Sequence, residues 1–348
     1  MIDPERLVYV PEQHHEKHSF CFWIHDLIAD GIKQAEAARV ANVHFTFRDD
    51  EDKKAFAAAP DIITYALESN RHDLARRIVL NQSVIPLYAD ALHFMFEGMS
   101  MLEKHKHTVS IALFRKPLRQ NLLFLTWIFA DEHDYFTRFH ADASNLDDSR
   151  KLTPKRIKEL LKAANEKLRV SFNTDLIYKM VFDKTNEGGL GHYFDQAVHL
   201  VTNQGAIKTE DMNLNMIFTA PTNDDIYDGI YHILGYVFMY LLFLEIEMFG
   251  QMTKVPEFYR QWLDIATWTT YHAIFGDSSV KIDEFNSAAS TLLSCLLCKK
   301  PLRLTRENAL EFFAAEHITC SHCRSFQGFP FYWLIARMED DKTSATIV

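Results

Sequence analysis

Residues 230–244 read IYHILGYVFMYLLFL and form the longest apolar run of the chain. The run contains His232 and is followed by Glu245 and Glu247. A helix needs about 20 apolar residues to cross a bilayer, so this run is too short for a membrane span. We instead predict a buried core helix, around which a soluble protein with no membrane partner packs.

The composition of the whole chain also favours helices. Its 348 residues are 48% hydrophobic and 24% charged, which is typical of a globular protein and not of a disordered one. Eleven Gly and ten Pro are few for this length, and 27 Phe can fill a large core. The predicted fold is mainly α: a multi-helix bundle with a small C-terminal zinc-stapled module.

Helical patterns extend on both sides of the core run. Thr153-Pro154 is a strong helix start, because a hydroxyl cap precedes a proline at the first helical position. Pro60-Asp61 and Pro256 offer further starts, and Pro117 marks a kink or a new start. The other predicted elements are helices over residues 18–43, 71–103 with a possible interruption at Pro86, 108–140, 192–202 and 282–298, and a short strand over 216–219.

Four of the five cysteines form two identical pairs, Cys295-x-x-Cys298 and Cys320-x-x-Cys323. Two thiolates three residues apart can turn toward one ion, and a second pair completes a tetrahedron. The gap between the pairs falls near the range that is typical of zinc sites. Because four thiolates leave no open position for water, we predict a structural Zn²⁺ site.

Two other interpretations of the cysteine pairs are open. Cysteines are often buried without a ligand, and a Cys-x-x-Cys pair can serve redox chemistry. The redox interpretation lacks the strand–helix–strand setting that is usual for such motifs. In the zinc interpretation, the ion pins residues 301–319 to the end of the preceding helix, and those residues contain a strand (302–305) and a helix (306–315).

The net charge and the N-terminal sequence indicate which partners and which cellular location to expect for the protein. The formal net charge of −10 argues against whole-surface attraction to nucleic acid, although a local basic patch is open. The N-terminus lacks the order of a secretion signal and cysteines are few, which favours the cytoplasm. We expect a helical bundle over residues 1–255, a C-terminal part with the zinc module over 256–338, and a flexible tail over 339–348.

The spacing of Arg39 and His44 resembles the arginine–histidine pair of HEPN-type ribonucleases, which occur in bacterial toxins and phage defence. The resemblance implies that His44 acts as acid or base while Arg39 stabilises phosphate charge. Two residues carry this resemblance, and the flanking helices do not identify the family further. The alternative interpretation is a surface arginine and a histidine near a helix end.

A further set of polar residues could meet in a pocket. Arg115 and Arg119 lie four apart on an apolar helical pattern and therefore share a face. His192, Asp195 and His199 fall along one stripe of a later short helix. If the two sets converge, they form an anion-binding pocket for a phosphorylated small molecule. The alternative is a structural network of buried polar pairs.

The sequence contains no phosphate-binding glycine loop, dinucleotide fingerprint, nucleophile elbow or zinc-protease motif. The first functional expectation is therefore a binding or regulatory protein, a possible homo-oligomer, that recognises a protein or a small-molecule ligand. The alternatives are an HEPN-like ribonuclease acting on RNA and a pocket enzyme acting on a phosphorylated small molecule. Whether the chain is an enzyme is open at this stage.

Overall fold

The structure is a computed structural model that describes residues 2–146, 152–203, 207–215, 225–276 and 280–330. These residues are mainly α-helical, as predicted, and they include one two-stranded antiparallel sheet. The α-helices are α1 (His15–Ala37), α2 (Asp50–Ala58), α3 (Ile62–Glu68), α4 (His72–Leu102), α5 (His107–Arg115), α6 (Leu122–Ala130), α7 (Glu132–Asp142), α8 (Pro154–Asn165), α9 (Thr174–Val181), α10 (Leu190–Val198), α11 (Asp225–Met252), α12 (Glu257–Phe275), α13 (Val280–Ala288) and α14 (Ala309–Ala315). The strands are β1 (His317–Thr319) and β2 (Phe326–Gly328). A π-helical turn, Lys116–Asn121, joins α5 to α6, and short 3₁₀ turns cover Pro4–Leu7, Glu12–His14 and Ala143–Asn145.

The chain divides into two compact units. The first comprises Met1–Ile24, Asp224–Met239 and Val255–Val348, and the second comprises His25–Asn223 and Tyr240–Lys254. Helices α1 and α11 each contribute one part to either unit.

Three sequence predictions have no structural test. The predicted domain limits near residues 255 and 338 stay predictions. The predicted strand over 216–219 and the predicted tail over 339–348 lie outside the described residues.

The predicted core helix is present as α11, and it is longer than the apolar run from which it was inferred. By length and composition alone α11 could cross a membrane, but 89% of its most apolar 18-residue window is buried inside the protein. In the second unit, Phe172 packs its ring against Tyr240 and Phe243. Tyr88 donates a hydrogen bond to the carbonyl of Leu241 at 3.2 Å. This burial is compatible with the core helix of a soluble protein.

The helix starts predicted at Thr153-Pro154 and Pro60-Asp61 are confirmed. Thr153 Oγ accepts a hydrogen bond from the Arg156 N–H at 3.3 Å and begins α8. The Asp61 carboxylate accepts from the N–H groups of Ile63 and Thr64, each at 2.8 Å, and begins α3. Caps are local interactions between neighbours in sequence, so they are visible without the tertiary fold.

The elements predicted around the cysteines were wrong in two places. Helix α13 ends at Ala288, because the Ser290 hydroxyl donates to the Ser287 carbonyl at 2.8 Å and offers the backbone an alternative to the helix. The predicted strand over 302–305 is absent from the described C-terminal segment. The Asn286 amide instead bonds both the N–H and the carbonyl of Leu304, at 2.8 and 2.9 Å, where a strand partner would stand.

Helix α11 also carries a buried acid. The Glu245 side chain is fully buried, and neither carboxyl oxygen has a hydrogen-bond partner among the described residues. A methyl group added at Gly31 would lie 2.8 Å from Glu245 Oε1, so the carboxyl packs directly against α1. Burial and then the charge of Asp30 raise the pKa of Glu245 well above its usual value of 4.5. The carboxyl therefore keeps its proton to higher pH in the folded protein than in the unfolded chain.

Replacing Glu245 with Met should stabilise the protein by about 1–2 kcal/mol. The Met side chain is similar in shape to Glu, and it removes a buried polar group that has no hydrogen-bond partner among the described residues. The gain should increase with pH. Above the ordinary pKa of 4.5, unfolded Glu245 loses its proton while the folded form keeps it, so the parent loses stability as pH rises. Urea unfolding at about pH 5 and about pH 8 measures this difference. Glu245→Gln is the control, since it removes the ionisation but keeps a buried polar group. A Met variant whose advantage does not change with pH would contradict the assignment.

Candidate functional site

The four cysteines of the predicted set meet in the first unit. Their sulfur atoms all lie within 4.8 Å of one another. Cys295 Sγ is 3.6 Å from Cys323 Sγ, and Cys298 Sγ is 3.7 Å from Cys320 Sγ. A tetrahedral ion with metal–sulfur distances of about 2.3 Å requires sulfur–sulfur separations of about 3.8 Å. The cluster could therefore hold a metal ion, and all four cysteines are free of disulfides.

The two pairs adopt the same local structure. The Lys299 N–H donates to the Cys295 carbonyl, and the Arg324 N–H donates to the Cys320 carbonyl, both at 2.9 Å. Lys299 and Arg324 have φ values of 60° and 61°, in the left-handed region that residues other than glycine rarely adopt. Two equivalent strained turns indicate that each pair is shaped to present both sulfurs to one point.

Two polar side chains that sequence reasoning missed support the cluster. Ser325 Oγ lies 3.3 Å from Cys295 Sγ and 3.1 Å from Cys323 Sγ. The buried Gln327 accepts a hydrogen bond from the Leu296 N–H at 3.0 Å and donates to Ser325 Oγ at 2.8 Å, so it links the two pairs. The Ser325 hydroxyl, followed by the backbone N–H of the next cysteine, lowers the pKa of Cys295 to about 6. This favours the thiolate that a metal ion binds.

The cluster lies beside its own hydrophobic core. Strands β1 and β2 pair with Ile318 opposite Gln327, and the second cysteine pair lies in the turn that joins them. Cys295 and Cys320 are buried in a cluster with the aromatic residues Phe285, Phe312, Phe313 and Phe329. An ion that joins the two pairs would therefore also hold together the residues on which this core is built.

A second candidate site lies in the second unit, around Asp195. Its buried carboxylate accepts from Arg115 Nε at 3.2 Å, from Arg119 Nη1 at 3.1 Å and from Lys184 Nζ at 2.5 Å. The structure therefore brings together three residues of the predicted ligand set and adds Lys184. Burial opposes ionisation of Asp195, but the Lys184 hydrogen bond and the three positive charges outweigh it and hold its pKa below the usual value of 3.8.

The two arginines lie where the chain changes from α-helix to a π-helical turn. Arg115 ends α5, and Arg119 lies in the π-helical turn that follows. Pro117 in this turn has no N–H to donate, so one hydrogen bond of the regular α-helical pattern is missing here. Single π-helical turns within helices often occur at functional sites.

The arginines open onto a cavity of about 170 Å³. Their side chains remain 37% and 31% exposed although both contact Asp195. Arg115 Nη1 and two nitrogens of Arg119, Nε and Nη2, have no hydrogen-bond partner among the described residues. The walls of the cavity are Arg115, Arg119, Gln120, Leu123, Phe124, Leu152, Ile157 and Phe182. The cavity is thus apolar on most sides and basic at one end.

The two histidines of the predicted ligand set differ in their contacts with the residues around Asp195. His192 is next to the cluster, and its Nδ1 is 2.8 Å from the Lys184 carbonyl, so it helps to position that lysine. His199 follows the end of α10, has an exposed side chain, and only its backbone carbonyl bonds Asn215. The His199 backbone N–H donates to the Asp195 carbonyl at 3.0 Å and ends α10, but within the described part of the chain its side chain bonds neither the Asp195 carboxylate nor either arginine. Its predicted role in a ligand site stays a prediction.

Arg39 and His44 lie after α1, which ends at Ala37 and not at residue 43 as predicted. Arg39 has a φ of 52°, and this left-handed residue turns the chain out of the helix. Both side chains are exposed, and no hydrogen bond or ion pair joins them across the ranges that the structure describes. The ribonuclease hypothesis stays a prediction.

Comparison with known proteins adds no relative. No protein-family profile, curated protein or solved structure matches the chain. The class of the protein therefore follows from its own structure. The chain is a mainly α-helical protein with a four-cysteine cluster that could bind a metal ion and a basic pocket beside Asp195.

Proposed function

We propose that this chain is a helical binding protein that carries a structural Zn²⁺ at its four cysteines and binds an anionic small molecule beside Arg115 and Arg119. One observation supports the ligand site: both guanidinium groups contact a single carboxylate, still have unused N–H donors, and line the same cavity. Guanidinium N–H groups match the oxygens of phosphate and carboxylate.

The donor atoms support zinc as the ion. Four thiolates arranged as a tetrahedron suit Zn²⁺ or an iron–sulfur centre, and hard ions such as Mg²⁺ and Ca²⁺ prefer oxygen. The sulfur–sulfur distances of 3.6 and 3.7 Å suit a single ion. A closed shell of four thiolates has no position for water or substrate, so the ion is structural. The proposal includes the reducing cytoplasm as location, where thiolates persist.

Charge and size define the ligand class. Arg115, Arg119 and Lys184 face a single carboxylate, Asp195, which leaves an excess of two positive charges. A dianionic phosphate monoester matches that excess. A cavity of about 150 Å³ accommodates a benzene ring, and the cavity here has about 170 Å³. The ligand is therefore a phosphate ester with a body the size of a single ring.

The wall residues favour binding over catalysis. The eight residues that line the cavity include no carboxylate, cysteine, serine or histidine. Arginine remains charged at every ordinary pH and cannot serve as a general base. The described walls can therefore orient an anion, but none of the described wall side chains suits proton transfer or nucleophilic attack.

Phenyl phosphate should bind at least about tenfold more tightly than phenol to the parent protein, because only the ester carries the charge that the arginines recognise. Arg119→Ala should weaken phenyl phosphate binding by about tenfold or more and leave phenol unchanged. Titration calorimetry measures both affinities.

Arg77→Ala is the matched control for this titration. Arg77 has similar exposure, pairs with Glu132 at 2.9 Å and does not line the cavity, so its loss should leave phenyl phosphate binding unchanged. Equal affinities of the Arg119→Ala and parent proteins would contradict the proposal. A loss of affinity in Arg77→Ala as large as in Arg119→Ala would assign the effect to general surface charge.

A further inference from the structure

Basic side chains accompany both cysteine pairs in sequence, although the net charge of the chain as a whole is negative. Lys299, Lys300, Arg303 and Arg324 are all exposed. None of the four has an ion-pair partner within residues 280–330 or elsewhere in the described part of the chain. No acidic residue occurs between positions 285 and 306 or between 317 and 330, although the net charge of the protein is −10. We call these four residues the basic surface.

Charge neutralisation of the metal site does not account for the whole basic surface. A divalent ion with four thiolates has a formal charge of minus two. Four cations exceed that charge by two, and none of their side chains bonds a cysteine sulfur within the described module. The excess is available to a negatively charged partner.

The same module exposes large apolar side chains near its cysteines in sequence. Leu296 and Leu297, between the first two cysteines, are 65% and 74% exposed, and Phe326 on β2 is 66% exposed. The His317 ring lies 4.3 Å from the Phe326 ring, and Glu311 bonds His317 and so holds that ring in place. The His317 ring is thus held against the Phe326 ring, and most of the Phe326 side chain remains exposed to a partner.

We infer that the metal module binds single-stranded nucleic acid, with its backbone along the basic surface and a base stacked on Phe326. Phosphate groups bind exposed cations that have no other ion-pair partner, and an unstacked base binds by stacking on an exposed aromatic ring. The described module has both features. An acidic peptide would use the cations but has no need of an open ring. The described module also presents no long helix for a major groove, because α14 is seven residues long.

The test uses the whole, metal-loaded chain and a fluorescently labelled uridine oligonucleotide, with the matching 2′-deoxyuridine oligonucleotide as a second arm. If four cations contact phosphates, the slope of log K against log salt concentration should be about −2.8 for a single strand. The double variant Lys300→Glu, Arg324→Glu should weaken binding at least about tenfold and reduce the slope to about −1.4. Phe326→Ala should weaken binding at least about fivefold with the slope unchanged.

A double variant elsewhere provides the matched control. Lys33→Glu, Lys104→Glu makes the same change in net charge at two exposed lysines of the second unit, and it should bind like the parent. Metal content, measured for every variant, shows that the module is intact. A control variant as weak as the module variant would overturn the inference. So would an absence of oligonucleotide binding at low salt, or equal affinity for poly-glutamate, which would indicate an acidic protein partner. Tighter binding of uridine than of 2′-deoxyuridine, or the reverse, identifies the sugar and supports the inference in either case.

Discussion

A Cys298→Ser protein is expected to lose its bound metal and to expose its C-terminal module to protease. A serine hydroxyl is a far weaker zinc ligand than a thiolate, and three remaining cysteines cannot close the tetrahedron. Structural zinc contributes about 10–16 kcal/mol of apparent binding free energy in small zinc-finger peptides, so the loss should exceed the effect of any ordinary core substitution. Limited proteolysis with metal analysis measures both consequences.

The fifth cysteine provides the control for this experiment. Cys21 lies in α1, is fully buried and is not part of the sulfur cluster. Cys21→Ala should cost about 1 kcal/mol for the small cavity and leave the metal content at one ion per chain. Full metal content in the Cys298→Ser protein, or protease sensitivity in Cys21→Ala equal to that of Cys298→Ser, would contradict the assigned role of the cluster.

An Asp195→Asn protein is expected to be less stable than the parent and yet to bind phenyl phosphate more tightly. Loss of the carboxylate leaves Arg115, Arg119 and Lys184 facing one another without a negative charge. Removing one partner of a buried ion pair costs about 3–5 kcal/mol, but these cations are about one-third exposed, so the expected loss is about 2–3 kcal/mol. Without competition from Asp195, the arginines should bind the anion about tenfold more tightly.

The stability difference should depend on pH. The pKa of Asp195 is lowered in the folded protein, so its contribution is complete above the ordinary value of 3.8 and disappears as pH falls through the lower folded value. Unfolding curves of parent and Asp195→Asn should therefore converge in acid. Weaker phenyl phosphate binding by Asp195→Asn would show that the carboxylate positions the arginines for the ligand and does not compete with it.

The cysteine cluster could be predicted from sequence because its geometry is local. Two residues in each pair are three apart, so each pair defines a turn before the tertiary structure is known. Ser325 and Gln327 could not be predicted in the same way. Ser325 reaches the distant Cys295, and Gln327 reaches Leu296, only in the folded module, where β1 and β2 pair in a register that buries Gln327.

The basic pocket was predictable in part. The spacing of Arg115 and Arg119 shows that they share a face, but their meeting with Asp195 depends on how α10 packs on α5. Lys184 comes from the turn between α9 and α10 and belongs to no periodic pattern, so nothing in the sequence marked it. Pro117 predicted a kink or a new helix start, and the chain forms a π-helical turn there; Arg119, in this turn, is one of the residues that line the cavity.

X-ray absorption at the zinc edge of the purified parent protein tests the central claim most directly. Four sulfur neighbours at about 2.3 Å, with no nitrogen or oxygen in the first shell, are the expected result. A protein that carries no zinc, or zinc whose first shell contains water or histidine nitrogen, would contradict the account of how the C-terminal module is held together.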